Sequence, residues 1–174
     1  MGSIDTAGID KLFGGLATAE VFGSGNYFEA GIHVVTLKDI FCKEGFKGKS
    51  LVAEFEIVSS SDASVSVGST RSYVLKMESP YAPANAAKLF MALLGYENTK
   101  ENLTNGSIRK ECEVTARAVM GSETAQKELG EIYRPDMLKG ARLKVECSLR
   151  DTKPSLKSPN GGIWTDHAWS PAGE

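Results

Sequence analysis

Two segments of this chain alternate apolar and polar residues at every second position. In residues 51–58, Leu51, Ala53 and Phe55 share one face, and the alternation recurs in GARLKVECSLR, residues 140–150. A period of two is typical of a β-strand with one buried face. Sheets with one buried and one solvated face are commonly antiparallel. The pattern therefore predicts a mainly β fold.

Three more segments predict strands, and a helical region separates the third strand from the fourth. The three segments cover residues 31–41, 69–78 and 163–170. Helical spacing of apolar residues in ANAAKLFMALLG, residues 84–95, predicts a core helix. Weaker helical patterns follow around 109–120 and from Ser122, as N-cap, over 123–133.

The order of three strands, a helical region and two strands is the connectivity of the OB-fold. This fold is a five-stranded Greek-key barrel whose binding loops join strands 1–2 and 4–5. We therefore expect a β fold with a helical insertion. The predicted organisation is a flexible N-terminal arm with a short helix at 1–26, one OB-fold domain at 27–171 with helices at about 80–139, and a tail at 172–174.

The first loop, KEGFKGKS, ends like the phosphate loop of an ATPase. Its glycine spacing is two residues short of that motif, and a strand pattern follows it where a phosphate loop needs a helix. The sequence therefore predicts a hairpin tip without ATP binding. The ring of Phe46 lies between Lys43 and Lys47 in the sequence. This arrangement suits single-stranded nucleic acid, because bases stack on the ring and lysines neutralise phosphates. The alternative is a solvated tip whose lysines maintain solubility.

The second loop, DTKPSLKSPNGG, also carries lysines and precedes an aromatic residue. Arg71 and Tyr73 lie on the third strand near the expected path of the nucleic acid, although Tyr73 shares its face with apparent core residues. Glu54 and Glu56 point outward from the second strand and should repel phosphate there. The predicted nucleic-acid-binding residues are Lys43, Phe46, Lys47, Lys49, Arg71, Tyr73, Lys153, Lys157 and Trp164.

Composition limits the other functional classes. The formal net charge of -2 requires any nucleic-acid site to be a local basic groove. Three widely spaced cysteines, with no C-x-x-C pair, predict reduced thiols in a cytoplasmic protein, without a zinc site or disulfide framework. No apolar run is long enough to cross a membrane. No nucleophile or acid–base constellation is recognisable, so we expect no enzyme, no cofactor and no catalytic metal.

Several segments together resemble the OB-fold single-stranded-DNA-binding proteins encoded by tailed bacteriophages. They are the stretch from Tyr27 to Ser61, the strand GSTRSYVL, the helix AAKLFMALLG, and the closing LKGARLKVEC with W-x-D-H-x-W-S-P. The resemblance covers about residues 27–171. It implies a replication or recombination protein that coats single-stranded DNA and acts in the host cytoplasm. The chain ends at SPAGE without a long acidic tail, so recruitment of partners through such a tail is not expected.

The sequence thus leaves two hypotheses of different classes. The first is a non-enzymatic protein that binds single-stranded DNA with little sequence specificity and contacts replication or recombination proteins. Its N-terminal arm could join copies into a homo-oligomer. The second is a structural or protein-interaction module of a virion or another assembly, built on the same barrel.

Overall fold

Five antiparallel strands form one sheet in the part of the chain that the computed structural model describes, residues 27–45, 48–154 and 159–172. The spatial order of the strands is β3-β2-β1-β4-β5. Within these residues no hydrogen-bonded ladder joins β3 to β5, so the sheet is not closed. The strands are β1 (Gly31–Gly45), β2 (Gly48–Ser60), β3 (Thr70–Lys76), β4 (Arg142–Thr152) and β5 (Gly162–Pro171).

Helices fill the connection between β3 and β4, as the sequence predicts. They are α1 (Ala82–Leu93), α2 (Lys100–Thr104), α3 (Gly106–Val119) and α4 (Glu123–Leu129), followed by a 3-10 turn at Gly130–Ile132. The side chain of Asn105 accepts hydrogen bonds from the first backbone N–H groups of α3, which is why this helix begins before the predicted residue 109. The helix predicted over 123–133 ends at Leu129, because Gly130 adopts a positive φ of 58°.

The pairing of β1 places the two long hairpins at opposite ends of that strand. The last residues of β1 pair with the start of β2, and Gly45 lies opposite Gly48 at the first hairpin. Only the first part of β1 pairs with β4, from Gly31 opposite Cys147 to Thr36 opposite Arg142. The β4–β5 hairpin therefore extends beyond the start of β1, away from the β1–β2 hairpin.

Aromatic rings at the centre of the core connect the two edges of the sheet. Trp169 of β5 is 2% exposed and stacks on Phe55 of β2, with ring centroids 5.2 Å apart. Tyr73 of β3 meets the rings of Trp169 and His167 edge-on, at 5.1 and 4.7 Å. The side chains of β3 and β5 are thus in contact although their backbones are not paired.

Candidate nucleic-acid interface

A register shift in β1 determines which face Phe41 occupies. Val35 and Leu37 are buried and face the core. The shift between Leu37 and Asp39 inserts one residue, so the next core position is Ile40. Without this bulge, alternation from Leu37 would direct Phe41 into the core. With it, Phe41 lies on the outer face of the sheet.

Three rows of side chains cross β1, β2 and β3 on this outer face, beginning next to the β1–β2 hairpin. Successive rows are two residues apart along each strand, about 7 Å, and neighbouring strands are about 4.8 Å apart. The row nearest the hairpin carries two cations, the middle row is apolar, and the third carries two carboxylates. The rows are Lys43–Ser50–Lys76, Phe41–Val52–Val74 and Asp39–Glu54–Ser72.

The apolar row forms a packed surface patch outside the main core. Val52 is only 1% exposed, yet it is not a member of the core cluster, because it points to the opposite side of the sheet from Leu51 and Ala53. Phe41 and Val74 flank it and are half-buried. A nucleobase laid on this row would contact the ring of Phe41 and the side chain of Val74, which flank the buried Val52, with ammonium groups one row away. This combination of a stacking surface and cations suits single-stranded nucleic acid.

The two described lysines of the first loop lie on opposite faces of the hairpin. Lys43 is opposite Ser50, whereas Lys49 is opposite Glu44 in the adjacent pair, and adjacent pairs alternate between faces. Only Lys43 therefore lies in the row beside Phe41. Phe46 and Lys47, also predicted to bind nucleic acid, lie outside the described residues.

Arg71 and Tyr73 are in the interior, which corrects the expectation that they line a surface path. Tyr73 is 8% exposed, and its burial raises the pKa of the phenol to about 12. Arg71 is 9% exposed, and its Nε and Nη2 donate to the carboxylate of Glu29 at 2.8–3.2 Å. Both side chains belong to the inward face of β3, so neither offers a surface for a base or a phosphate.

The β4–β5 hairpin carries the exposed tryptophan. Trp164 is 56% exposed and lies opposite Arg150. Nε of Arg150 donates to Oδ2 of Asp166 at 2.9 Å, and this hydrogen bond raises the pKa of the guanidinium. Lys153 is exposed just after β4, and Lys157 lies outside the described residues. Along the strand register this hairpin is at the far end of β1, so Trp164 does not join the row of Phe41.

The sequence pattern alone does not identify Phe41 and Lys76 as site residues. Alternation places Lys76 on the outer face of β3, but its position in the row of Lys43 depends on the pairing of β1, β2 and β3. The face of Phe41 depends on a bulge for which the sequence carries no glycine or proline signal. The available signal is that Asp39 would otherwise point into the core, where an unpaired carboxylate is costly.

No protein-family model and no curated protein matches this chain. Among the described residues, no helix is long and apolar enough to cross a membrane. In the same part of the chain, no group of three or more His, Cys, Asp or Glu side chains could hold a metal ion. The function is therefore inferred from the rows on the outer face and from the two hairpins.

Proposed function

We propose that this protein binds single-stranded DNA with little sequence specificity, without catalysing a reaction, during replication or recombination of a phage-type genome. The observation that carries the proposal is the apolar row of Phe41, Val52 and Val74 beside the row of Lys43 and Lys76. Bases stack on the apolar row, and the backbone phosphates lie toward the hairpin.

A partly open OB-fold is the architecture that we infer for this sheet. Five antiparallel strands with helices between the third and fourth support it, as does the contact between β3 and β5 through Tyr73, His167 and Trp169. OB-folds bind oligonucleotides on the face of strands 2 and 3 and through the loops 1–2 and 4–5. The rows cross β2 and β3 beside the first of those loops, and Trp164 lies beside the second.

Electrostatics limits the DNA to one side of the apolar row. On the side away from the hairpin, the carboxylate of Glu54 repels phosphate, whereas that of Asp39 lies 3.7 Å from Nζ of Lys139 and is largely neutralised. Lys43 and Lys76 attract phosphate on the other side. Each stacked base contributes about 1–3 kcal/mol, and each phosphate contact makes binding more sensitive to salt. A slightly acidic protein can thus hold a polyanion through one local surface.

A protein-interaction module is the second candidate, and a specific observation favours it. Leu149 and Ile163 are exposed on the face of the β4–β5 hairpin opposite Trp164. Apolar side chains on a protruding two-stranded ribbon are typical of surfaces that contact another protein. On this reading the barrel is a component of an assembly, and the lysine row is a solubilising surface.

Fluorescence anisotropy with labelled oligo-dT separates the two candidates. We expect binding at low salt that weakens as salt is raised, and much weaker binding to a duplex of the same length, whose bases are not available for stacking. Absence of oligo-dT binding at low salt would overturn the DNA-binding proposal and leave the interaction module.

A further inference from the structure

An open groove of about 880 Å³ lies between α1 and α3, and its lining is mostly apolar. Met77, Ala86 and Met120 line it and are partly exposed, whereas Phe90, which also lines it, is buried in the main core. The core lies on the inner side of the sheet, so the groove is away from the row of Phe41 on the outer face.

The border of this groove is positively charged. Lys88 and Arg109 line it, and neither side chain forms an ion pair with another described residue. Glu113 lines it as well, but its carboxylate is paired with Arg117 of the same helix. The groove therefore fits a segment that presents apolar side chains next to a carboxylate.

The β4–β5 hairpin of the same chain presents such a surface. Leu149 and Ile163 are 60% and 70% exposed, and alternation from the buried Val145 and Cys147 places both on the inward face of the hairpin. Asp151 lies directly opposite Ile163 on that face. Its carboxylate forms no ion pair with another described residue. Two apolar side chains and one carboxylate thus complement the groove in both polarity and charge.

The dimensions of the two surfaces also agree. Leu149 and Ile163 are diagonal neighbours on adjacent strands, about 7 Å apart. Packed helices have axes about 8–10 Å apart, so the furrow between α1 and α3 has room for one such pair of side chains. The ladder between β1 and β4 ends at Cys147, so β1 does not cover this part of the hairpin.

We propose that the β4–β5 hairpin of one copy of this chain docks in the α1–α3 groove of the next copy, head to tail. Within one chain Leu149 and Ile163 are exposed and do not line the groove, so the contact must join two copies. Both side chains enter the apolar part of the groove, and Asp151 pairs with Lys88 or Arg109. The two surfaces differ, so each copy keeps one of them available and the row can continue.

This contact does not require DNA and therefore stands apart from the proposed function. It leaves the row of Phe41 uncovered, because hairpin and groove both lie away from that row. Trp164 also stays accessible, since it is on the opposite face of the hairpin from Leu149. Copies that follow one another along a single strand would touch, and their binding would be cooperative.

The test uses two full-length variants that each remove one of the two surfaces. Leu149→Lys places a charge on the inward face of the hairpin, and Ala87→Arg fills the groove. Each variant alone should sediment as a single chain at concentrations at which the parent forms particles of several chains. An equimolar mixture should form a two-chain complex and nothing larger, because one intact hairpin can then meet one intact groove.

Two control variants carry the same added charge at neighbouring positions. Ser148→Lys is on the outer face of the hairpin, and Asn85→Arg is on α1 but does not line the groove. Both should associate as the parent does, whereas Leu149→Lys should weaken self-association at least tenfold. On long oligo-dT, Leu149→Lys should lose cooperativity while it binds a short oligo-dT as tightly as Ser148→Lys does.

Sedimentation is measured without DNA, so its outcome is separate from any absence of oligo-dT binding. A parent that remains a single chain at millimolar concentration would overturn the proposal, and so would a mixture of the two variants that does not associate. Equal losses in Ser148→Lys and Leu149→Lys would also overturn it. A parent whose mass stops at two chains would overturn the head-to-tail row.

Discussion

Phe41 of β1 lies directly opposite Val52 of β2, on the face of the sheet that points away from the core. The proposed stacking surface depends on this pair. Phe41→Ala should weaken binding of oligo-dT about tenfold, the loss of one stacked base at ~1.4 kcal/mol. Anisotropy titrations measure the loss. Ile32→Ala is the matched control, because Ile32 lies on the same strand but in its first part, far from the hairpin. Equal weakening by both variants would contradict the stacking role of Phe41.

Lys43 and Lys76 should determine part of the salt dependence of binding. Replacing both by alanine should lower the slope of log affinity against log salt by about 1.4, since each contact with a single strand contributes about 0.7. Lys49→Ala should leave the slope nearly unchanged, because Lys49 lies on the other face of the hairpin. A larger change of slope in Lys49→Ala than in the double variant would place the DNA on that other face.

Quenching of tryptophan fluorescence should report on the β4–β5 hairpin. Trp164 is exposed and Trp169 is 2% exposed, so quenching by an oligo-dT long enough to continue from the row of Phe41 to the β4–β5 hairpin at the other end of β1 should come from Trp164 alone. Trp164→Leu should therefore remove the quenching while changing the free energy of unfolding little. Trp169→Ala should instead destabilise the fold by about 3–5 kcal/mol, as expected for truncating a buried aromatic side chain. Quenching that persists in Trp164→Leu would exclude this ring from the interface.

His167 should make the fold less stable in mild acid. Burial lowers the pKa of this imidazole from 6.5 to about 4, although Asp166 and the backbone of Thr165 oppose the shift. Between these pH values the unfolded chain binds the proton and the folded protein does not. Stability is therefore fully present above pH 6.5 and falls as the pH approaches 4, by on the order of 3 kcal/mol.

Chemical denaturation at several pH values measures this loss, and His167→Phe is the control because a ring is kept beside Trp169. The difference in unfolding free energy between the parent and the variant should be constant above pH 6.5. Below pH 6.5 the unfolding free energy of the parent should fall steadily relative to that of the variant, down to about pH 4. Parallel pH profiles would mean that His167 does not titrate in this range.

The sequence was sufficient to predict the strand order along the chain and most inward faces. Alternation is a local property, and the buried residues Leu51, Phe55, Leu143 and Val145 follow it. It was also sufficient to predict the core helix, because the apolar stripe that includes Leu89 repeats at helical spacing.

The arrangement of the candidate site could not be predicted in the same way. The position of Lys43 beside Lys76 results from pairing between three strands, which is a non-local property. The outward direction of Phe41 results from the bulge before Asp39. The role expected for Arg71 failed because its partner, Glu29, lies far away in the sequence and neutralises it inside the fold.

The ring contacts among Phe28, Phe55 and Trp169 join segments from both ends of the described chain. Contacts between residues so distant in sequence require closure of a long loop, which slows folding. The β1–β2 hairpin and the helices are local and can form earlier. In refolding experiments, the fluorescence change that accompanies burial of Trp169 should therefore be slower than the appearance of secondary structure. This burial should be the last step in assembling the core.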